Sequence, residues 1–462
     1  MASAAPATNT GESYGTPGYR AYVLGSLTLI YTLNFVDRIL ISVVGRPIIE
    51  EFNLSNFQFG ILTGIGFVLF YTSLGIPIAR LSERVSRVRI IGVCVILWSI
   101  ATILCGFAVG FVTLLLARLA VGVGEAGCTP PANSLISDYF TAATRPMALG
   151  IYAMGVMLGG VLAQLGGGAI LNLFTWREAF IYIGAPGVLI GIILLMTVKE
   201  PPRGYSDPPQ AKPAEKATLR EAMGQVSRSK TFWYIALGMS LATFGGYGLT
   251  SFKSLYIQYT FGLTPGDAAI QYMAPISLSG AIGAPLAGYL IQRFSPRFNL
   301  AAVWVPAVGF LLSAPLLALG FLAESLPVMF AAFLLAGVFQ YFYIGASYSV
   351  VQTVVDQRTR ATAIAILLFI INLIGYGGGP PILGALADSI SVMRLEALGL
   401  GSELTAACSP NDANLSAALQ ENCLDAKAYG IRWACVVGSA VFLLAGLIYF
   451  WASRYYMAEK ML

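Results

Sequence analysis

The sequence predicts an all-α membrane protein: twelve transmembrane helices in two pseudo-symmetric six-helix bundles. Three observations carry that prediction. Of 462 residues, 57% are apolar and 11% charged, where soluble domains run near 45–50% and about 25%; mean hydropathy is +0.75. Apolar runs recur at the roughly 20-residue length that a bilayer core demands. The second half of the chain repeats the first weakly, as transporters built from repeats do.

The runs place spans near residues 19–46, 56–82, 88–109, 111–138, 145–174 and 178–198, then 231–260, 266–293, 298–322, 326–355, 360–391 and 430–453. The polar opening "MASAAPATNTGESYGTPGYR" has neither a basic n-region nor an apolar h-region, so residues 1–18 read as a disordered cytoplasmic tail and not as a cleaved signal. An N-terminal bundle over 19–198 and a C-terminal bundle over 231–462 flank a polar, proline-bearing linker, 199–230. Repeat signals are short: "ARLSERVSR" after the second span corresponds to "GYLIQRFSPR" after the eighth, and "DYFTAATRPMA" after the fourth to "DQRTRATA" after the tenth.

Orientation follows from the basic residues. Most lysines and arginines fall on the segments that lie inside if the N-terminus is inside, whereas Arg46, Arg177, Arg394, Lys427 and Arg432 fall outside. The positive-inside rule then puts both termini in the cytoplasm and the polar stretch 392–429 on the outer side. Cys408 and Cys423 lie in that stretch, where an oxidising exterior permits a disulfide between them; two free thiols are the alternative. The other four cysteines sit in apolar runs and read as packing residues.

The net charge of +5 forms no basic stripe, so nothing points to nucleic acid. Histidine is absent, which removes Ser/His and Cys/His nucleophilic pairs, histidine metal sites and imidazole relays. Any proton chemistry must therefore use carboxylates.

"ARLSERVSR" is similar to the loop motif G-x-L-x-D-R-x-G-R of the major facilitator superfamily: Leu81, Arg84 and Arg87 match, Glu83 stands for the aspartate, and Ala79 and Ser86 stand for the glycines. "WREAF" resembles the segment before the sixth span in many members. "NFVDRILISVVGRP" and, more specifically, "RLAVGVGEAGCTPPANSLISDYF" resemble the Spinster family of lipid transporters. The resemblance covers nearly the whole chain. It implies the major facilitator fold, alternating access, proton coupling and lysolipid-like substrates, with no cofactor beyond a proton gradient. A monomer in a bacterial inner membrane, surrounded by lipid, is expected. Glu83, Arg84 and Arg87 would then form a cytoplasmic gate in which an acidic group facing basic neighbours latches the bundles.

An ionisable side chain inside a span costs about 2.5–3.5 kcal/mol on insertion scales, so each one needs a reason. Asp37 and Arg38 lie in the first span, Arg118 and Glu125 in the fourth. At about 1.5 Å per residue, Asp37 sits roughly 24 Å from the inner end of its helix and Arg118 roughly 10 Å from the outer end of its own, so their depths match. Arg118 and Glu125, seven apart, share a helix face, while adjacent Asp37 and Arg38 point about 100° apart and need not pair. Two carboxylates at two depths with arginines between them can pass a proton and exchange partners, which makes Asp37 and Glu125 the proton-coupling candidates. A static neutralised network between the two helices is the alternative. Lys253, near the outer end of the seventh span, reads as a snorkelling lysine.

Superfamily members line their cavity with the first, fourth, seventh and tenth spans. Here that nominates Asn34, Arg38 and Arg118 beside the carboxylates, and Phe244, Tyr247, Tyr341, Tyr343 and Tyr348 on the C-terminal side. Charge on one wall and aromatics on the other suit an amphipathic solute with an anionic or zwitterionic head. A soluble organic anion or a drug is the alternative cargo; a non-transporting membrane receptor or enzyme is remote, since there is no Walker A motif, metal cluster or histidine.

Gly122-Val-Gly124-Glu-Ala-Gly127 spells G-x-G-x-x-G. A dinucleotide turn needs a strand before it and a phosphate at the start of the following helix. An expected membrane helix supplies neither, so the glycines read as surfaces for close helix packing.

Overall fold

The structure, a computed structural model, describes residues 12–207, 219–356, 359–400 and 416–460, and within them all regular structure is helical. Among the described residues, eleven helices are long and apolar enough to cross a membrane. The seventh expected span is present as an unbroken helix, Lys230–Phe261, whose tyrosines, glycines and Lys253 dilute its apolar content and keep it out of that count. Every predicted span has its helix.

Two differences have plain causes. The eleventh span runs on to Ala397, and the last helix, Ala417–Lys460, starts well before the apolar run. Helix thus occupies much of the stretch 392–429 read as a loop, because hydropathy marks only the part of a helix that lipid would touch, whereas a helix continues as long as its own backbone bonds are made. The fourth span is also broken, into Phe111–Glu125 and Thr129–Tyr139. Pro130 and Pro131 lack the N–H groups that would continue the ladder, and a proline disfavours helical geometry in the residue before it. The tenth span breaks at the corresponding place, into Leu326–Gln340 and Tyr343–Thr353, with segments of 15 and 11 residues as in the fourth. Interruptions at matching positions of two repeats are tolerated in membrane proteins where the backbone is buried or lines a cavity.

The helices gather into two compact units. The first holds the chain up to Leu40, Leu69–Ala163 and the stretch from Phe174 into the linker. The second holds Ile41–Val68, Gln164–Leu173 and the C-terminal half. In the first unit Arg87, 1% exposed, opens the third span at Arg87–Gly106 and donates to Asp138 and to Ser134 at the end of the fourth span. It also donates to Glu200 (2.6 Å) and the Pro201 carbonyl in the linker. In the second unit Asp388 satisfies the first backbone N–H groups of the helix Asn56–Thr63, accepting from Asn56 (3.0 Å) and Phe57 (2.8 Å), which otherwise have no partner at a helix start.

Candidate functional site

The four charges predicted from the first and fourth spans come together in the first unit. Arg38 donates to Glu125 at 2.6 Å, and Arg118 faces Asp37 at 3.7 Å. Neighbours in sequence thus pair across the helices and not with each other, as their divergence around the helix requires. All four are buried, Arg118 and Glu125 completely. Arg38 is further enclosed by aromatic faces, its guanidinium 4.2 Å from the ring centre of Tyr71 and 4.9 Å from that of Phe35, so part of its charge is met by ring quadrupoles.

Local structure explains how the helices approach so closely. A Cβ on Gly124 would lie 2.7 Å from the backbone nitrogen of Trp98, and one on Gly127 2.2 Å from Cys94 Sγ, so the fourth span presses its glycines against one face of the third. The G-x-G-x-x-G match is therefore a packing surface. Gly124→Ala is expected to destabilise by about 1–3 kcal/mol through overpacking, whereas Gly166→Ala, whose new Cβ would meet nothing within 4 Å, should be neutral or stabilising. Thermal melting of the two variants in one detergent checks the contrast.

Glu125 is the last residue of the fourth span's first segment, at the break. Its Oε1, like Asp37 Oδ1, accepts no hydrogen bond among the described residues. Each carboxylate therefore has one buried oxygen without a hydrogen bond, that of Asp37 being the one that faces Arg118. Asp37 has a partner that the sequence did not suggest: Thr102 of the third span donates to its Oδ2 at 2.7 Å. Asn34 is buried, and its side-chain oxygen likewise has no partner among the described residues.

In the second unit the tyrosines gather. Tyr247 stacks on Tyr376 with ring centres 4.0 Å apart. Tyr343 lies near Thr243, Tyr247, Tyr341 and Tyr348. These four, with Phe244, are each only partly buried. Gln340, which ends the tenth span's first segment as Glu125 ends the fourth's, is the counterpart that residue-by-residue reading missed; the equal segment lengths would have found it.

Other expected residues fall elsewhere. Glu83 and Arg84 are exposed in the turn after the second span, while Arg87 is buried in the network described above, all of whose partners belong to the first unit. Lys253 does not snorkel: it is 6% exposed, and its ammonium stands 4.9 Å from the ring centre of Phe333 on the tenth span. Cys423 is disulfide-bonded and fully buried, and Cys94, Cys105, Cys128 and Cys435 are free. Cys408 lies outside the described residues.

Comparison with known proteins gives this geometry a context. The Major Facilitator Superfamily profile matches residues 27–380. An MFS-type efflux pump of Mycolicibacterium smegmatis is 30% identical over 373 residues, spanning 80% of this chain and 84% of that protein. Protein spinster of Drosophila melanogaster is 27% identical over 377 residues, spanning 79% of this chain and 61% of that one. A crystal structure of a bacterial homolog to the human lysosomal transporter Spinster, inward-facing and unoccupied, superposes with a TM-score of 0.89 at 41% identity, covering 96% of this chain and 99% of that chain. An inward-facing, occupied structure described in the same words gives 0.88 at 40%. On that likeness the chain belongs to the major facilitator superfamily, and within it is a transporter of the Spinster type rather than an enzyme.

Proposed function

We propose that this transporter moves a lysolipid- or sphingolipid-like amphipath by proton-coupled alternating access. The observation that carries the reading is the buried quartet of Asp37, Arg38, Arg118 and Glu125, two ion pairs sealed from water in membrane-spanning helices. Such pairs are costly to bury and, in membrane helices, mark proton relays and ion pathways. Each pair has a carboxylate with one oxygen that accepts no hydrogen bond among the described residues. When a proton neutralises Glu125, Arg38 is left with a charge to satisfy and can take an anionic head group; neutralising Asp37 does the same for Arg118. A guanidinium matches phosphate or carboxylate in two-point geometry, and the tyrosine cluster offers large amphipathic rings of the kind that pack acyl chains.

Asp37 and Glu125 are the proton carriers in this reading; Asn34, Arg38, Arg118, Phe244, Tyr247, Tyr341, Tyr343 and Tyr348 bind the substrate; Glu83, Arg84 and Arg87 belong to the cytoplasmic gate. The protein needs no cofactor but the proton gradient, acts as a monomer and sits in a bacterial inner membrane with both termini cytoplasmic.

Flux into proteoliposomes under an imposed pH gradient tests it. A labelled lysolipid should move faster with the gradient than without, and a sugar acid should not compete. The efflux-pump relative favours a second reading, a drug or soluble organic anion as cargo. Preference for the compound without an acyl chain would establish that reading instead. Turnover of the substrate without translocation would sink both.

A further inference from the structure

Thr102 lies on the third span, outside the helices that supply the charges, and is 1% exposed. Its hydroxyl stands 2.7 Å from Asp37 Oδ2 and 3.0 Å from the carbonyl of Trp98, four residues back on its own helix. A hydroxyl carries one proton and can donate only once. It thus has two acceptors for a single donation, and which one it serves depends on the state of Asp37. No other hydrogen bond reaches Asp37 among the described residues: Oδ1 accepts none, and Arg118 stays at 3.7 Å.

We propose that Thr102 is a positioning residue for Asp37, holding the ionised carboxylate against the third span and returning its hydrogen bond to the Trp98 carbonyl when Asp37 takes up a proton. The inference deepens the transport reading above and rests on it for its functional meaning. An ionised Asp37 accepts from Thr102. A protonated Asp37 has become a donor at one oxygen, and Thr102 can then accept from it while donating to Trp98. No covalent bond changes; one proton enters at the carboxyl and one hydroxyl rotates.

The arrangement ties the charge on the first span to the third, and through it to the fourth, because Trp98 is the residue that Gly124 packs against. Besides Thr102, the groups facing Asp37 are Arg118 and Glu125 from the fourth span, Cys105 from the third, and Arg38 on its own helix. Arginine does not titrate in the accessible range. The quartet therefore has two titrating carboxyls, and Thr102 distinguishes them by bonding one.

The test compares Thr102→Val, which keeps the shape and removes the donor, with Thr102→Ser, which keeps the donor. Infrared difference titration of the purified full-length protein in nanodiscs reads the protonated-carboxyl band of Asp37, assigned by its disappearance in Asp37→Asn. A hydrogen bond to the charged form favours that form, so its loss should move the band's midpoint in Thr102→Val upward by about one pH unit, a tenfold change in proton affinity. The pH profile of lysolipid flux should move the same way, and Thr102→Ser should restore the wild-type midpoint in both. A merely structural threonine would lower the melting temperature without moving either midpoint. An Asp37 band with the same midpoint in wild type and in folded Thr102→Val overturns the proposal. Wild-type flux without pH dependence would instead overturn the transport reading, while the infrared comparison still decides the role of Thr102.

Discussion

Arg87→Ala should destabilise the protein by about 3–5 kcal/mol, the largest single loss expected of any side chain outside the quartet. The reason is what it leaves behind. Arg87 is 1% exposed and donates to two carboxylates, Asp138 and Glu200, besides Ser134 and the Pro201 carbonyl. Without the guanidinium, Asp138 stays buried with a charge that no cation meets. Glu200, 29% exposed, recovers some solvation and contributes less to the loss. Arg87→Lys should recover only part, since one ammonium cannot bond two carboxylates and a carbonyl in the fixed fork of a guanidinium. Arg84→Ala, in the exposed turn three residues earlier, is the control and should fall within about 0.5 kcal/mol of wild type. Melting of the three variants in one detergent checks all of this, and a shift in Arg84→Ala as large as that in Arg87→Ala would refute the assignment.

Glu125→Gln should leave a folded transporter whose flux no longer responds to the pH gradient and falls by at least about tenfold, the scale of one lost charged hydrogen bond. The amide oxygen of the substituted side chain can still accept from Arg38, so the variant removes the charge and the proton site while keeping the contact that Arg38 makes at 2.6 Å. Glu125→Ala, by contrast, strands Arg38 and should lose stability as well as flux. Proteoliposome uptake with and without the gradient, beside a melting curve, separates the two effects. A Glu125→Gln protein that still accelerates under the gradient would assign proton coupling to Asp37 alone.

Much of the fold was legible because lipid imposes it. Apolar runs of bilayer length can hardly be anything but helices, and every predicted span has one. The charges were legible for the same reason: an ionisable group inside such a run carries a cost that needs a reason, and matched depth placed Asp37 beside Arg118. What escaped were interactions with no compositional mark. A threonine in an apolar helix ordinarily bonds its own backbone four residues back, and Thr102 does so with Trp98 while also reaching Asp37. Nor could spacing show that Glu200, in the linker, returns to Arg87. The burial of Lys253 was hidden because a position near a helix end says nothing about which neighbour covers that face. The break after Glu125 was visible in its two prolines, but reading the fourth span as one helix hid what the break does to the glutamate.

The quartet has an electrical consequence. With both carboxylates ionised its net charge is zero, and because arginine keeps its proton and the chain has no histidine, each proton that enters leaves the site with one unit of positive charge. A cargo with a single negative charge would restore neutrality, and a proton crossing with it would move no net charge through the membrane. A zwitterionic cargo would cross with the proton's charge uncancelled, and a potential of 100 mV would then act on each cycle with about 2.3 kcal/mol. In the transport cycle proposed above, the charge of the cargo would thus determine whether membrane voltage contributes to transport or leaves it to the pH gradient alone.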